Sequence, residues 1–368
     1  MVQLGSVARV GAGQGAPQDR AAFSKDGHPF IRAGSLELLC EGDDSALERI
    51  DDKAATKHGL RLYSPDTIVF AKSGMSATKN RIYRLRNPAY VVNHLATVQP
   101  TKDLDPTYLR YWLEHFNPTR LIQDIAYPSI SLEDINEVVF PLFSLSDQQR
   151  LAGQLEEADR LRRTRRYALE LSDTFLPAAF LELFGDPIRN SKHWPIESFG
   201  EVVENFDSGR KPVKEADRAR RHGDYPYYGA SGIIDYIDGF LFDGTYLLVA
   251  EDGMNLVTRS KPVAIVASGQ FWVNNHAHVV APKAFVDIAY LREFTNSRNL
   301  NDFVTGIDQM KLTRDNLDRI PVPLPPLPLQ QKFAAMVERV ERLRSVQRES
   351  LRQAEHLFQS LLHHAFTT

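Results

Sequence analysis

Hydrophobic and polar residues alternate in two different ways along this chain. Short apolar runs punctuated by Gly, Asp and Ser dominate in LRLYSPDTIVFAKSG from Leu60, IYRL from Ile82 and AYVVNHLATV from Ala89. The same texture returns in GFLFDGTYLLVAEDG from Gly239, PVAIVAS from Pro262 and NNHAHVVAP from Asn274. β-branched and aromatic runs between turn residues predict short strands. TYLRYWLEHF from Thr107 and AYLREFTNS from Ala289 predict a helix after each strand set. Elsewhere the period lengthens. Leu151, Leu155, Ala158, Leu161, Leu169, Leu176, Ala179 and Leu183 form one seam, and Phe333, Val337, Val340, Leu343, Leu351, Ala354, Phe358, Leu361 and Ala365 form another. Steps of three and four predict two amphipathic helices. At ~1.5 Å per residue, a helix of ~35 residues is a rod of roughly 50 Å, long for packing inside one domain. The expectation is that each rod pairs with the other. Ser146-Asp147 is the predicted N-cap of the first. Glu156–Arg160, Asp159–Arg163 and Glu338–Arg342 are spaced to support the exposed faces.

The two patterns occur in duplicate. Laid over 323–366 at an offset of 182, residues 141–184 match at 13 of 44 positions. Chance pairing at ordinary residue frequencies gives roughly three. The matches include Pro141/Pro323, Leu142/Leu324, Gln148/Gln330 and Gln149/Gln331, which are not part of the helical seam. Upstream, Tyr108-Leu109-Arg110 falls on Tyr290-Leu291-Arg292, and Asn93-His94 on Asn275-His276. With a three-residue shift, Ala71 and Gly74-Met75 fall on Ala250 and Gly253-Met254. The repeated unit is therefore a mixed domain, a proline-rich hinge and a long helix.

Composition narrows the classes. A chain of 368 residues is comfortable for two domains. A single cysteine, Cys40, allows no internal disulfide or thiolate zinc site and suggests a reducing compartment, with Cys40 a buried structural thiol. The N-terminal MVQLGSVARVGAGQG does not have the pattern of a secretory signal, and no apolar run approaches a membrane span. The net charge of −3 does not advertise a nucleic-acid binder.

Catalytic motifs fare poorly. VGAGQG, Val10–Gly15, resembles a nucleotide or S-adenosylmethionine turn, and NPAY, Asn87–Tyr90, resembles the Asn-Pro-Pro-Tyr signature of amino-methyltransferases. The preceding VARV is too short and polar for a buried strand, Pro17 follows the glycines, and Ala89 stands where the second signature proline belongs. No phosphate-binding GxxxxGK[ST] loop and no HExxH or Cys/His cluster is present. His94 and His276 occupy matching positions and read as turn or core histidines; His363-His364 reads as a solvated face. Glu251-Asp252 has Lys72-Ser73 as its counterpart, unlike a conserved catalytic pair.

Four stretches carry a resemblance. PLPPLPLQQKFAAMVERVERLR, PLFSLSDQQRLAGQLEEADRLRR, FGDP at Phe184–Pro187 and YPYYGASGIIDYIDGFLFDGTYLLVAEDG from Tyr225 resemble the specificity (S) subunit of type I restriction–modification systems. The likeness runs over essentially the whole chain, the first domain being recognisable mainly through the repeat. Phe143 and Ser146 depart from it, standing where the second copy has prolines. The resemblance implies an α+β fold: two similar mixed, mainly β target-recognition domains separated by two long helices that form an antiparallel coiled coil. The boundaries expected are 1–142 for the first recognition domain, 143–186 for the first helix, 187–324 for the second domain and 325–368 for the second helix. It further implies a non-catalytic, cytoplasmic DNA-recognition subunit. Each domain reads one half of a bipartite site in double-stranded DNA. The helices dock methyltransferase (M) subunits, two of them, and set the gap between half-sites at about one duplex turn, ~34 Å. Restriction (R) subunits are a further expected partner class, and membranes are not. No cofactor is expected on this chain; S-adenosylmethionine, and ATP with Mg where a restriction subunit is present, belong on the partners. The alternatives are the specificity component of another restriction–modification class and a self-contained DNA methyltransferase.

Polar loops at strand ends are the expected DNA contacts. In the first domain these are Lys72, Ser73, Lys79, Asn80, Arg81, Tyr127 and Ser129. In the second they are Tyr228, Ser231, Asn255, Arg259, Gln309 and Lys311, with Arg210, Lys211 and Lys214 expected to hold phosphates.

Overall fold

A computed structural model describes residues 1–306 and 309–367. The chain divides into two compact units: unit 1 is Met1–Arg166 with Ser350–Thr368, and unit 2 is Tyr167–Glu349. Each unit thus holds one mixed domain and a portion of both long helices, which run Leu145–Phe184 and Leu327–Thr367. Among the described residues no helix is long and apolar enough to cross a membrane.

In unit 1, strands Ala8–Ala12, Leu95–Pro100, Ile68–Ala71 and Tyr83–Arg84 lie side by side in that order, all antiparallel. Ile68–Ala71 is buried at every position, the burial expected of a central strand packed on both faces. A smaller sheet sets His28–Ile31 between Arg49–Ile50 and Tyr90–Val91, parallel to the latter with Phe30 opposite Tyr90. Unit 2 repeats the order with Val203–Asn205, Ala277–Pro282, Phe242–Ala250 and Ala264–Val273. Tyr225–Gly229 then runs parallel to the last of these, with Tyr227 opposite Trp272, and pairs with Gly232–Ile237. Leu95–Pro100 and Ala277–Pro282 are the same strand at the offset of 182 read from the sequence.

The helix behind each sheet begins in the same way. Asp105 caps Pro106–Phe116 by accepting from the amides of Thr107 and Tyr108 at 2.9 and 2.8 Å, and Asp287 caps Ile288–Ser297 through Ala289 at 2.8 Å. Each places a fully buried tyrosine, Tyr108 or Tyr290, whose hydroxyl donates to the carbonyl of Pro141 or Pro323 at the hinge.

The first glutamine of each pair explains why that dipeptide is repeated. Gln148 and Gln330 are both 0% exposed. Gln148 Oε1 accepts from Asp105 N at 2.8 Å, and its Nε2 donates to the carbonyls of Asp103 and Phe143. Gln330 does the same with Asp287 N at 2.8 Å and the carbonyls of Phe285 and Pro325. One side-chain amide ties the cap of the sheet-backing helix, the loop before it and the hinge into one joint. Its burial demands that every donor and acceptor be used.

Within each unit the helix segments run antiparallel. In unit 1, Leu155 and Ala158 pack with Phe358, Leu362 and Ala365, and Arg166 reaches Glu355 at 2.9 Å. In unit 2, Phe180 and Phe184 meet Phe333 with ring centres 5.6 and 5.5 Å apart, and Arg344 donates to the Ser172 carbonyl at 3.0 Å. Three details depart from the sequence expectation. The first helix starts before Ser146, and Ser144 is the cap, its hydroxyl accepting from Asp147 N at 3.2 Å. Arg160 turns to Glu157 rather than to Glu156. Leu161 and Leu343 are 39% and 54% exposed and do not belong to the seam; the Arg162 guanidinium instead covers the Phe358 ring at 3.7 Å. Cys40 is only partly buried, near the Ile82 carbonyl, and burial pushes its thiol above the ordinary range.

Candidate nucleic-acid interface

Three segments converge at one end of the sheet in each unit. In unit 1 they are the loop after Ile68–Ala71, the turn before Leu95–Pro100 and the stretch around Ser129. Lys72 N donates to the His94 carbonyl, Ile130 N to the Lys72 carbonyl and Gly74 N to the Pro128 carbonyl, at 2.9, 2.8 and 2.9 Å. In unit 2, Glu251 N donates to the His276 carbonyl, Leu312 N to the Glu251 carbonyl and Gly253 N to the Met310 carbonyl, at 2.9, 2.8 and 2.9 Å. Isolated bridges Ser73–Ser129 and Asp252–Lys311 complete the match. Gly74 and Gly253 both have positive φ, 75° and 103°, so the bend after each strand requires a residue without a Cβ. The backbone platform is the same; the side chains on it are not.

On the unit 1 platform, Ser73 Oγ lies 2.8 Å from His94 Nδ1, Ser129 is exposed, and Met75 and Tyr127 stand 69% and 82% exposed. On the unit 2 platform, Asp252 Oδ2 lies 2.6 Å from His276 Nδ1, and Lys311 Nζ lies 3.2 Å from Glu251 Oε1. Gln309 and Met254 are exposed beside them. Beneath this surface unit 2 holds a charged cluster that the matching positions of unit 1 lack among the described residues. Arg210 Nη1 donates to Glu251 Oε2 at 2.6 Å, and Asp207 Oδ2 lies 2.7 Å from Nδ1 of the buried His278. Burial pushes the Asp207 and Glu251 carboxyls upward, yet both end below the ordinary range. For Asp207 the bonds from His278 and the Val279 amide prevail, and for Glu251 Arg210, His278 and Lys311 do. At the offsets of the repeat, unit 1 has Lys72 in place of Glu251 and Ala96 in place of His278.

Of the residues expected at DNA, the structure brings Lys72, Ser73, Tyr127 and Ser129 together on one platform, and Gln309 and Lys311 on the other. Lys79 is exposed at the end of the turn that follows Gly74. Lys211 and Lys214 are exposed on a basic loop with Arg220, and none of the three makes an ion pair among the described residues. Ser231 is exposed in the turn of the Tyr225–Ile237 hairpin; the Tyr228 ring is half-buried against Phe271.

Five of the residues expected at DNA have their side chains engaged within the chain. The Arg210 side chain is 15% exposed and pairs with Glu251, Asp207 and the Ala277 carbonyl. Arg259 closes the end of the Ile288–Ser297 helix by donating to the Thr295 and Asn296 carbonyls at 3.0 and 2.9 Å. Asn255 braces its own loop through Lys261 N and O. Asn80 donates to the Glu114 carbonyl at 2.7 Å, and Arg81 pairs with Glu37. All five are polar residues near strand ends, but the local chain needs their donors. Glu251, Asp252, His94 and His276 also lie on the platforms, outside the expected set. The available signal was a matched histidine pair beside a mismatched pair, Ser73 and Asp252.

Residues 191–356 match the family described as the type I restriction modification DNA specificity domain. A Haemophilus influenzae chain assigned as a type I restriction enzyme specificity subunit is 36% identical over 152 residues, covering 41% of this chain and 37% of that one. A second relative, from Methanocaldococcus jannaschii and assigned as the MjaX specificity subunit, is 22% identical over 290 residues, covering 71% of this chain and 68% of its own. The chain thus spans little more than a third of the Haemophilus relative's length. The crystal structure of the type I restriction–modification S subunit from M. genitalium superposes over 99% of this chain and 95% of its own with a TM-score of 0.63 and 14% identity, a likeness of fold.

Proposed function

We propose that this chain is a type I restriction–modification specificity subunit, the sequence-reading component of such a complex; the family match over residues 191–356 and the Haemophilus relative support this reading. Unit 1 reads one half of a bipartite duplex site and unit 2 reads the other. The observation that carries this reading is the pair of platforms: one hydrogen-bond skeleton made twice, bearing Lys72, Ser73 and Ser129 in one copy and Glu251, Asp252 and Lys311 in the other. Base edges in the major groove differ by donor and acceptor pattern, so reading two different half-sites from one scaffold requires this kind of exchange. Lys211, Lys214 and Arg220 serve as phosphate contacts that position without specifying.

The long helices dock the methyltransferase subunits. In unit 1 a shallow groove between the helix segments is lined by Gly153, Ala158, Leu161, Leu357 and Leu361; in unit 2, Leu343 and Val346 are 54% and 69% exposed. The chain itself is non-catalytic, with S-adenosylmethionine, and ATP with Mg where restriction subunits join, held by the partners. With a net charge of −3 it binds DNA weakly alone and depends on partners to clamp the duplex.

The test is to co-express the chain with its methyltransferase partner and map the methylated motifs. A bipartite motif with a fixed gap is expected, and exchanging residues 1–140 for those of another family member changes one half only. Absence of a bipartite motif, or photo-crosslinking of S-adenosylmethionine to the pure chain, would overturn the reading.

A further inference from the structure

The two platforms share a histidine and differ in what that histidine leans on. His94 and His276 follow equivalent turns, both are exposed, and both present Nδ1 to the residue next after the strand-end tie. In unit 2 that residue is Asp252, a carboxylate that only accepts. At 2.6 Å it places a proton on His276 Nδ1, so the neutral ring turns a lone pair outward on Nε2. In unit 1 the partner is Ser73, whose hydroxyl both donates and accepts, so His94 can present Nε2 as donor or as acceptor. The His276 side chain is 50% exposed and Asp252 is 30% exposed, so the ring is open to a ligand while its partner is partly covered.

We infer that His94 and His276 each touch one base edge of the target, and that Ser73 and Asp252 are positioning residues that set how strictly that base is chosen. The inference rests on the reading of the platforms as half-site readers. In the neutral state the Asp252-held ring accepts from an exocyclic amino group, selecting adenine or cytosine at one position. The Ser73-held ring tolerates both donor and acceptor edges, giving a degenerate position in the other half.

The experiment uses the chain with its methyltransferase partner and reads methylation across a library degenerate at every motif position. D252S is expected to relax one position of the unit 2 half-site, lowering discrimination there about tenfold, the scale of one lost base-edge contact. S73D is expected to narrow one position of the unit 1 half-site and leave the other half untouched. H276A is expected to relax the same position as D252S. A motif and discrimination unchanged in both D252S and S73D would overturn the inference, as would a change in the opposite half. If D252S lowers the melting point and abolishes methylation, D252N, nearly isosteric, carries the test, and unchanged discrimination in it counts against the inference. A wild-type complex that methylates no bipartite motif defeats the family reading instead, so the two failures are told apart.

Discussion

Unit 1 and unit 2 are alike where the chain must hold itself together and unlike where it meets solvent. The buried amides of Gln148 and Gln330 make the same three hydrogen bonds, and the two platforms are tied by the same backbone pairs at nearly the same lengths. Between them, Ser73 has become Asp252, Lys72 has become Glu251 and Ser129 has become Lys311. A buried polar side chain can change only if all its partners change with it, whereas an exposed one changes at little cost. Duplication followed by surface divergence therefore leaves the joints recognisable and the exposed platforms distinct.

The largest effect expected of this contrast comes from the charge cluster beneath the unit 2 platform, which the matching positions of unit 1 lack among the described residues. Asp207 accepts from the Val279 amide at 2.8 Å, faces the buried His278 and pairs with Arg210. Asp207→Ala strands those groups and should destabilise unit 2 by about 3 kcal/mol, since removing one partner of a buried pair leaves the other uncompensated. Its pKa is lowered in the fold, so its contribution is present above the unfolded carboxylate value and is lost as pH falls through the folded one. Acid titration of the melting point should accordingly be shallower in the variant. A variant as stable as the wild type would mean the cluster is ornamental, and the two units would be closer in energetics than in composition.

Next in size is a pair of equal effects. Gln148→Ala and Gln330→Ala each leave three backbone groups without their partner and should each cost about 2 kcal/mol. Hydrogen exchange should place the loss of protection in unit 1 for the first and in unit 2 for the second. Clearly unequal losses would break the claim that the joint is conserved in energy as well as in geometry.

These two predictions also mark what could be read from the residues alone. The repeat at an offset of 182 was visible because the Gln pair, the hinge prolines and Tyr108/Tyr290 are buried joint residues, and such residues resist change. The two seams were visible because helical period survives exchange of one apolar residue for another. Leu161 and Leu343 were misplaced because periodicity marks one face of a helix, not what covers it. The site was less legible. Arg210 and Arg259 have the donors expected of DNA contacts, and only three-dimensional proximity to Glu251 and to the carbonyls of Thr295 and Asn296 reveals their structural work. His94 and His276 are legible in the sequence as a pair, but their Nδ1 partners are not, since these lie 21 and 24 residues upstream and meet them through sheet pairing.

A smaller test of the joint removes one oxygen. Tyr108→Phe and Tyr290→Phe keep the ring and lose the bond to the hinge carbonyl, so each should cost about 1 kcal/mol. Burial pushes both hydroxyls well above the ordinary tyrosine range, so no change in this cost is expected between pH 6 and 9, which lies below even a normal phenol's pKa of about 10.

The smallest effects should separate the helix contacts of the two units. Arg166 and Glu355 in unit 1 are 47% and 44% exposed, an ion pair in open solvent. Arg166→Ala should cost no more than about 0.5 kcal/mol, and that small loss should vanish at high salt. In unit 2 the Arg344 side chain is only 12% exposed and its guanidinium reaches the Ser172 hydroxyl and carbonyl as well as Asp173. Neutral acceptors are not screened as a carboxylate is, and the stem of Arg344 packs as it crosses the helix. Arg344→Ala should therefore cost about 1 kcal/mol, most of it retained at high salt. Chemical denaturation at two ionic strengths distinguishes the cases. If both losses vanish together with salt, the helix segments are held by charge in both units. If Arg344 alone keeps its cost, unit 2 grips its pair of helices through the backbone, while unit 1 leaves that work to Phe358 and its neighbours.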